Sequence, residues 1–149
     1  MADYYTLKAL HVIGAVLLVG NVTVTGAWSL YLYQHWREAA IPFRPVARAI
    51  LWTDLVFTLG GGTLLTVTGV TLWLQSGLSF FQTPWLVKGI AALSLSTLSW
   101  LVVLLPDQWR LERTSDPVVI RRLFLRWSVV GWLSTALLFY AIWGMVTRR

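Results

Sequence analysis

Residues 5–33 read YTLKALHVIGAVLLVGNVTVTGAWSLYLY, and Lys8 is the one formally charged side chain among them. Crossing the hydrocarbon of a bilayer takes about 20 mostly apolar residues in a helix, so this segment is long enough to span and to reach both interfaces. Three further stretches of the same kind follow, at roughly Ala47 to Leu74, Pro84 to Leu105 and Val118 to Val146. The fold class expected is all-α: a four-helix transmembrane bundle, up-and-down, in which residues 1–149 form a single transmembrane domain. Connections this short make sequential helices antiparallel neighbours.

Composition agrees. The 149 residues are 57% hydrophobic and 12% charged, with a mean hydropathy of +0.68. A water-soluble core of this size could not hide that much apolar surface. The formal charge of +6 does not point to nucleic acid, because the arginines flank apolar segments instead of forming a patch on a soluble domain. The absence of cysteine excludes disulfides, thiolate metal sites, iron–sulfur clusters and covalent haem attachment. The N-terminus, Met-Ala-Asp-Tyr-Tyr-Thr-Leu-Lys, lacks the basic start of a secretory signal, so the first span is expected to remain in the mature protein.

The ends of the spans carry their own chemistry. Thr83 with Pro84, and Asp116 with Pro117, match an N-cap followed by proline at the first helical position. Pro106 is expected to stop the third helix, and Pro42 and Pro45 to break the connection before the second. Arg37, Arg44 and Arg48 border the first loop, and Arg110, Arg113, Arg121 and Arg122 the third, whereas Gln75 to Thr83 holds no Lys or Arg. By the positive-inside rule loops one and three face the cytoplasm and both termini lie outside, against the mild counterweight of Arg148 and Arg149. Trp28, Trp36, Trp52, Trp73, Trp85, Trp109, Trp127 and Trp143 fall near span ends, as interfacial belts require. Thr6-Leu-Lys8-Ala-Leu loosely resembles Leu86-Val-Lys88-Gly-Ile, a faint trace of duplication in which Ala91 stands where the histidine would be.

His11 is the residue of most chemical interest, because an imidazole inside a membrane costs free energy unless partnered. Lys8 and Ala15 share its helical face, leaving room for a flat ligand. The bland reading is a histidine bonded to a neighbouring helix for packing alone, and residue statistics favour it. His35 lies 24 residues further on, about 36 Å along the helix, so the two cannot grip one metal in one chain. Lys88 either snorkels to the headgroups or provides the counter-charge of an anionic ligand. With this topology His11, Lys88 and Met145 share the outer leaflet, and Lys8 lies closer to the water, at the interface.

Asp54 and Arg126 share the inner leaflet and are expected to form a structural ion pair; a proton relay through Asp54 is the functional alternative. Asp54, Thr58, Gly62, Thr66, Gly69 and Trp73 form a stripe read as a packing seam. Asn21, Thr23, Thr25, Ser94, Ser96, Thr97 and Ser99 read as hydrogen-bonding glue between helices. No HExxH, GxSxG, Walker loop or pair of catalytic carboxylates is present, which argues against hydrolytic chemistry.

The pattern Lys8-Ala-Leu-His11, then Gly20 and Gly26, Thr68-Gly69, and Trp85-Leu-Val-Lys88 resembles a set of small bacterial membrane proteins. It is similar to four-helix integral membrane families without assigned function and, more distantly, to HemJ-type protoporphyrinogen oxidases and copper-resistance D-type membrane proteins. The HemJ likeness implies b-type haem, with functional positions falling on His11 and Lys88. The function expected on that basis is binding of haem b or a porphyrin in the outer-leaflet half, with a redox association. His11 would be an axial ligand, Lys88 and Lys8 would meet the propionates, and Met145 is the candidate second ligand. Any enzymatic activity would then be that of an oxidoreductase. The alternative is a non-catalytic accessory or assembly subunit, with Trp100 and Trp132 available for contacts. Expected surroundings are the lipid bilayer of the cell inner (plasma) membrane, with a homodimer or a membrane redox complex as partner and no nucleic acid. Cation or metal transport has too few acidic and sulfur ligands to support it.

Overall fold

The computed structural model describes residues 3–35 and 43–148. Its four long helices are α1 (Tyr4–His35), α2 (Arg44–Ser76), α3 (Pro84–Arg113) and α4 (Pro117–Thr147), each long and apolar enough to cross a membrane. There is no strand among the described residues. A helix is the form that lets an apolar segment bond every backbone group to itself where no water is available.

Helix boundaries follow local chemistry. Gly77 adopts φ 66° just past α2, the left-handed conformation that ends helices and that glycine reaches without a Cβ clash. Asp116 caps α4 by accepting the Val118 N–H at 2.9 Å, with Pro117 at the first position. Thr83 is the N-cap of α3 but makes no side-chain cap; its hydroxyl donates backwards to the Ser79 carbonyl at 2.8 Å. Pro45 lies in the first turn of the helical segment Phe43–Thr53, where a missing N–H costs nothing. Trp36, Arg37, Pro42 and Arg149, all used in the sequence reading, lie outside the described residues.

Pro106 does not stop α3. The helix runs on to Arg113 because the five residues before the proline's turn, Trp100–Leu104, open into a π-helical turn. Wider π bonding accommodates the carbonyl that the proline ring would strike and the N–H that it lacks. A second π-helical turn, Asp54–Leu59, occurs in α2.

The packing is uneven along the bundle. At the end bearing the arginines, the first segment of α2 packs on Leu105–Arg113 of α3, and Ala47, Trp100, Leu104, Leu111, Ile120, Leu123, Phe124 and Trp127 form one buried core. Tyr33 stacks on Phe124 with ring centroids 4.1 Å apart. Trp127 therefore belongs to the core and not to an interfacial belt, whereas Trp28, Trp52, Trp109 and Trp143 are exposed. At the end bearing the chain termini, α1 pairs with Gly60–Ser76 of α2 and α4 pairs with Pro84–Ser99 of α3. The outer segments Gly60–Ser76 and Pro84–Ser99 hardly touch each other. The bundle is thus two helical pairs, closed at the basic end and parted between α2 and α3 at the other.

Glycine makes the α1–α2 pair close. A Cβ on Gly14 would lie 2.7 Å from the backbone nitrogen of Leu65, and one on Gly61 would lie 2.8 Å from that of Leu18. Small residues are the usual device for bringing helices together in lipid. The seam uses Gly61, Leu65 and Thr68, a correction to the stripe read from sequence. At about 3.6 residues per turn these positions stay on the face of Asp54 and Thr58, while steps of four drift round to Gly62 and Thr66.

Candidate functional site

Asp54 is 4% exposed at the start of the α2 π-helical turn. Its Oδ1 accepts hydrogen bonds from Asn21 Nδ2 of α1 at 2.7 Å and from the Thr58 hydroxyl at 3.3 Å. Its Oδ2 accepts from Gln108 Nε2 of α3. The Trp100 indole nitrogen, at the same closed end of the bundle, is buried and has no hydrogen-bond partner. Three helices thus converge on one carboxyl group through neutral donors. Two further buried polar atoms, Gln108 Oε1 and the indole nitrogen of Trp127, which also lines the cavity described next, have no hydrogen-bond partner. Native proteins leave few such atoms, so each invites an explanation.

Above this cluster the parting of α2 and α3 leaves a cavity of about 330 Å³. Asp54, Thr58 and Trp100 line its closed end, Leu18 and Val22 of α1 and Leu138 of α4 its floor, and Thr66 of α2 and Thr97 of α3, both exposed, its lips. Both π-helical turns contribute to the lining, through Asp54, Thr58 and Leu59 in one and Trp100, Leu101 and Leu104 in the other. Single π turns inside α-helices often mark functional sites, and two facing one cavity are unlike a packing accident. Its walls are largely apolar, and the mouth opens sideways, where the bilayer would be.

The residues expected to hold haem are distributed differently. His11 faces α2. Its Nδ1 lies 3.0 Å from the Leu65 carbonyl and 3.2 Å from Thr68 Oγ1. A carbonyl can only accept, and the Thr68 hydroxyl already donates to the Leu64 carbonyl at 2.6 Å, so Nδ1 carries the proton and Nε2 keeps its lone pair. The ring rests on Gly69, where a Cβ would lie 2.9 Å from Cε1. Met145 covers Gly89 of α3, in the other helical pair. Lys8 and Lys88 are exposed. None of the four lines the cavity. No cluster of three or more His, Cys, Asp or Glu that could hold a metal ion occurs among the described residues.

A family model described as a predicted integral membrane protein matches residues 5–149. The chain belongs to the DUF2269 family. No curated protein and no solved structure matches it. Membership of DUF2269 agrees with the four spans and establishes an integral, multi-pass membrane protein. It lends no support to a HemJ-type or copper-resistance D-type likeness.

One pairing inferred from sequence is corrected in this DUF2269 chain. Arg126 binds Asp107, with Nε 2.7 Å from Oδ2 and Nη2 on Oδ1, and not Asp54. Arg110 approaches the same carboxylate at 3.9 Å. The physical reason is the continuation of α3 past Pro106, which carries Asp107 and Gln108 into the bundle; a helix ending at Leu105 would leave both in a loop. Gln108 is the functional-site residue that sequence reasoning missed. Leu104, Gln108 and Leu111, spaced by four and three, are the signal that could have found it.

Proposed function

We propose that this chain is a membrane-embedded binding protein whose ligand is a small molecule dissolved in the bilayer. The ligand enters sideways between α2 and α3 and seats its polar end at Asp54. The observation that carries this reading is the cavity of about 330 Å³, apolar along its walls and ending on a buried carboxyl group. Ligand pockets commonly combine such a lining with a few convergent polar groups. An ionisable residue inside a membrane marks a functional site by default. By the positive-inside rule the basic end, with Arg44, Arg48, Arg110, Arg113, Arg121 and Arg122, faces the cytoplasm of a cell inner membrane. The closed end of the cavity then lies on the cytoplasmic side.

Photolabelling tests the proposal. A twelve-carbon alcohol carrying an alkyl diazirine is irradiated with the protein in phosphatidylcholine nanodiscs, and adducts are mapped by mass spectrometry. Adducts on cavity residues such as Thr58, Ser134 and Leu138 are expected, and Ser96→Phe, which fills the cavity, removes them. Adducts confined to lipid-facing positions such as Val129 overturn the reading.

A second reading retains a b-type haem or porphyrin on His11 with a redox association. It is favoured by the anchored Nδ1, which presents a free Nε2 as an axial ligand must. A haem there would supply one-electron exchange. A reduced-minus-oxidised spectrum with a pyridine haemochrome assay tests it; protein colourless after expression with ample haem removes it.

A further inference from the structure

The charge balance at the closed end of the cavity narrows the ligand. Three ion pairs occur among the described residues, Arg48 with Glu112, and Arg110 and Arg126 with Asp107. No cationic side chain is paired with Asp54 among those residues, and its hydrogen-bond donors are all neutral: two amides and a hydroxyl. Asp107, equally buried, has two arginines. The two aspartates at this end of the bundle are therefore solved differently, one by internal counter-charge and one by neutral donors beside a cavity.

A carboxyl group in a low-dielectric interior either keeps a proton or pairs its charge with a cation, and a cationic ligand would supply at Asp54 the counter-charge that arginines supply at Asp107. The surroundings suit an organic cation. Trp100, Trp127 and Trp132 all line the cavity, and indole is the aromatic side chain that attracts ammonium groups most strongly. An inorganic ion would need several more oxygen ligands than a single carboxylate with its hydrogen-bonded neighbours provides. An anionic amphiphile would meet like charge at Asp54.

Resting on the cavity reading above, we propose that the ligand is a lipophilic organic cation. Its ammonium group lies between Asp54 and the tryptophans, and its hydrocarbon part extends through the opening between α2 and α3 into the bilayer.

The experiment uses the full chain in phosphatidylcholine nanodiscs, with empty nanodiscs as the partitioning control. Dodecyltrimethylammonium, 1-dodecanol and dodecanoate compete against the diazirine alcohol for cavity adducts, on wild type and on Asp54→Asn. The cation is expected to compete at concentrations lower than those of the alcohol by on the order of tenfold, about 1.4 kcal/mol, and dodecanoate least well. Asp54→Asn is expected to abolish the advantage of the cation over the alcohol. Equal competition by cation and alcohol on wild type overturns the cationic ligand and leaves the cavity reading standing. Failure of all three to displace the label, or failure of the label to enter, overturns the cavity reading and this proposal with it. Should Asp54→Asn not fold, the order of the three head groups on wild type decides the matter alone.

Discussion

Gly61 and Gly62 are adjacent, chemically identical and predicted to respond to alanine in opposite directions. A Cβ on Gly61 would lie 2.8 Å from Leu18 N, 2.9 Å from Leu17 Cβ and 3.1 Å from Gly14 O. Two of these three atoms are backbone of α1, so no rotamer change relieves the contact. Carbon contacts are optimal near 3.5–4.0 Å, so α1 and α2 must part by roughly 0.5–1 Å. Overpacking of this kind costs about 1–3 kcal/mol. Replacing glycine by alanine inside a helix recovers up to about 1 kcal/mol, leaving Gly61→Ala destabilised by up to about 2 kcal/mol. A Cβ on Gly62 meets nothing within 4 Å, so Gly62→Ala retains only the gain. The two variants should differ by about 1–3 kcal/mol, the overpacking cost alone, because the gain from removing a helical glycine is common to both. Unfolding in mixed micelles with increasing dodecyl sulfate, followed by tryptophan fluorescence, measures the difference. Equal midpoints for the two variants would refute the close α1–α2 seam. Gly14→Ala strains the same contact, and its double variant with Gly61→Ala should lose less than the sum of the singles, because both changes part the same helices.

Arg126→Gln leaves Asp107 with the distant Arg110 alone and should lower the unfolding midpoint; adding Asp107→Asn should restore part of the loss, and an unchanged midpoint in the single variant counts against the pair. Asp116→Ala removes the cap on Val118 N–H and should cost about 1 kcal/mol in the same titration, whereas Asp116→Asn should cost little. His11→Ala should abolish any haem absorbance of the purified protein while the photolabelling of the cavity persists, since His11 does not line it; a joint loss would mean that the two regions are not independent. Pro106→Ala should let Trp100–Leu104 return to α-helical bonding and turn Trp100 on the helix, which lowers competition by dodecyltrimethylammonium; unaltered competition would show that the π-helical turn does not position the site.

Several features were legible residue by residue. The spans could be read because bilayer thickness imposes a length and lipid imposes composition, both local properties. Asp116 could be read as a cap, and Gly69 beside Thr68 as part of a seam, from side-chain chemistry and helical period. Pro106 misled because its usual effect, ending a helix, is cancelled by a backbone rearrangement one turn earlier that no residue type announces. That single error removed Gln108 from view and left Arg126 without its partner, so Asp54 was assigned to it by depth alone. The histidine was recognised as partnered, yet which nitrogen would be bonded depended on the Leu65 carbonyl, and a backbone atom carries no sequence signature.

The amino-acid sequence by itself determined that this chain has four helices long and apolar enough to cross a membrane, and which end is basic. These follow from segment hydropathy and charge, which act within a few residues of chain. Tertiary structure alone decided that α2 and α3 part at one end, that Asp54 meets Asn21, Thr58 and Gln108 there while Arg126 turns to Asp107, and that a cavity remains beside it. The physical reason is that the parting depends on how closely α1 approaches α2 over Gly14 and Gly61, and on two π-helical turns that reset the facing of everything beyond them. Those are relations between backbones, and they exist only once the four helices are packed.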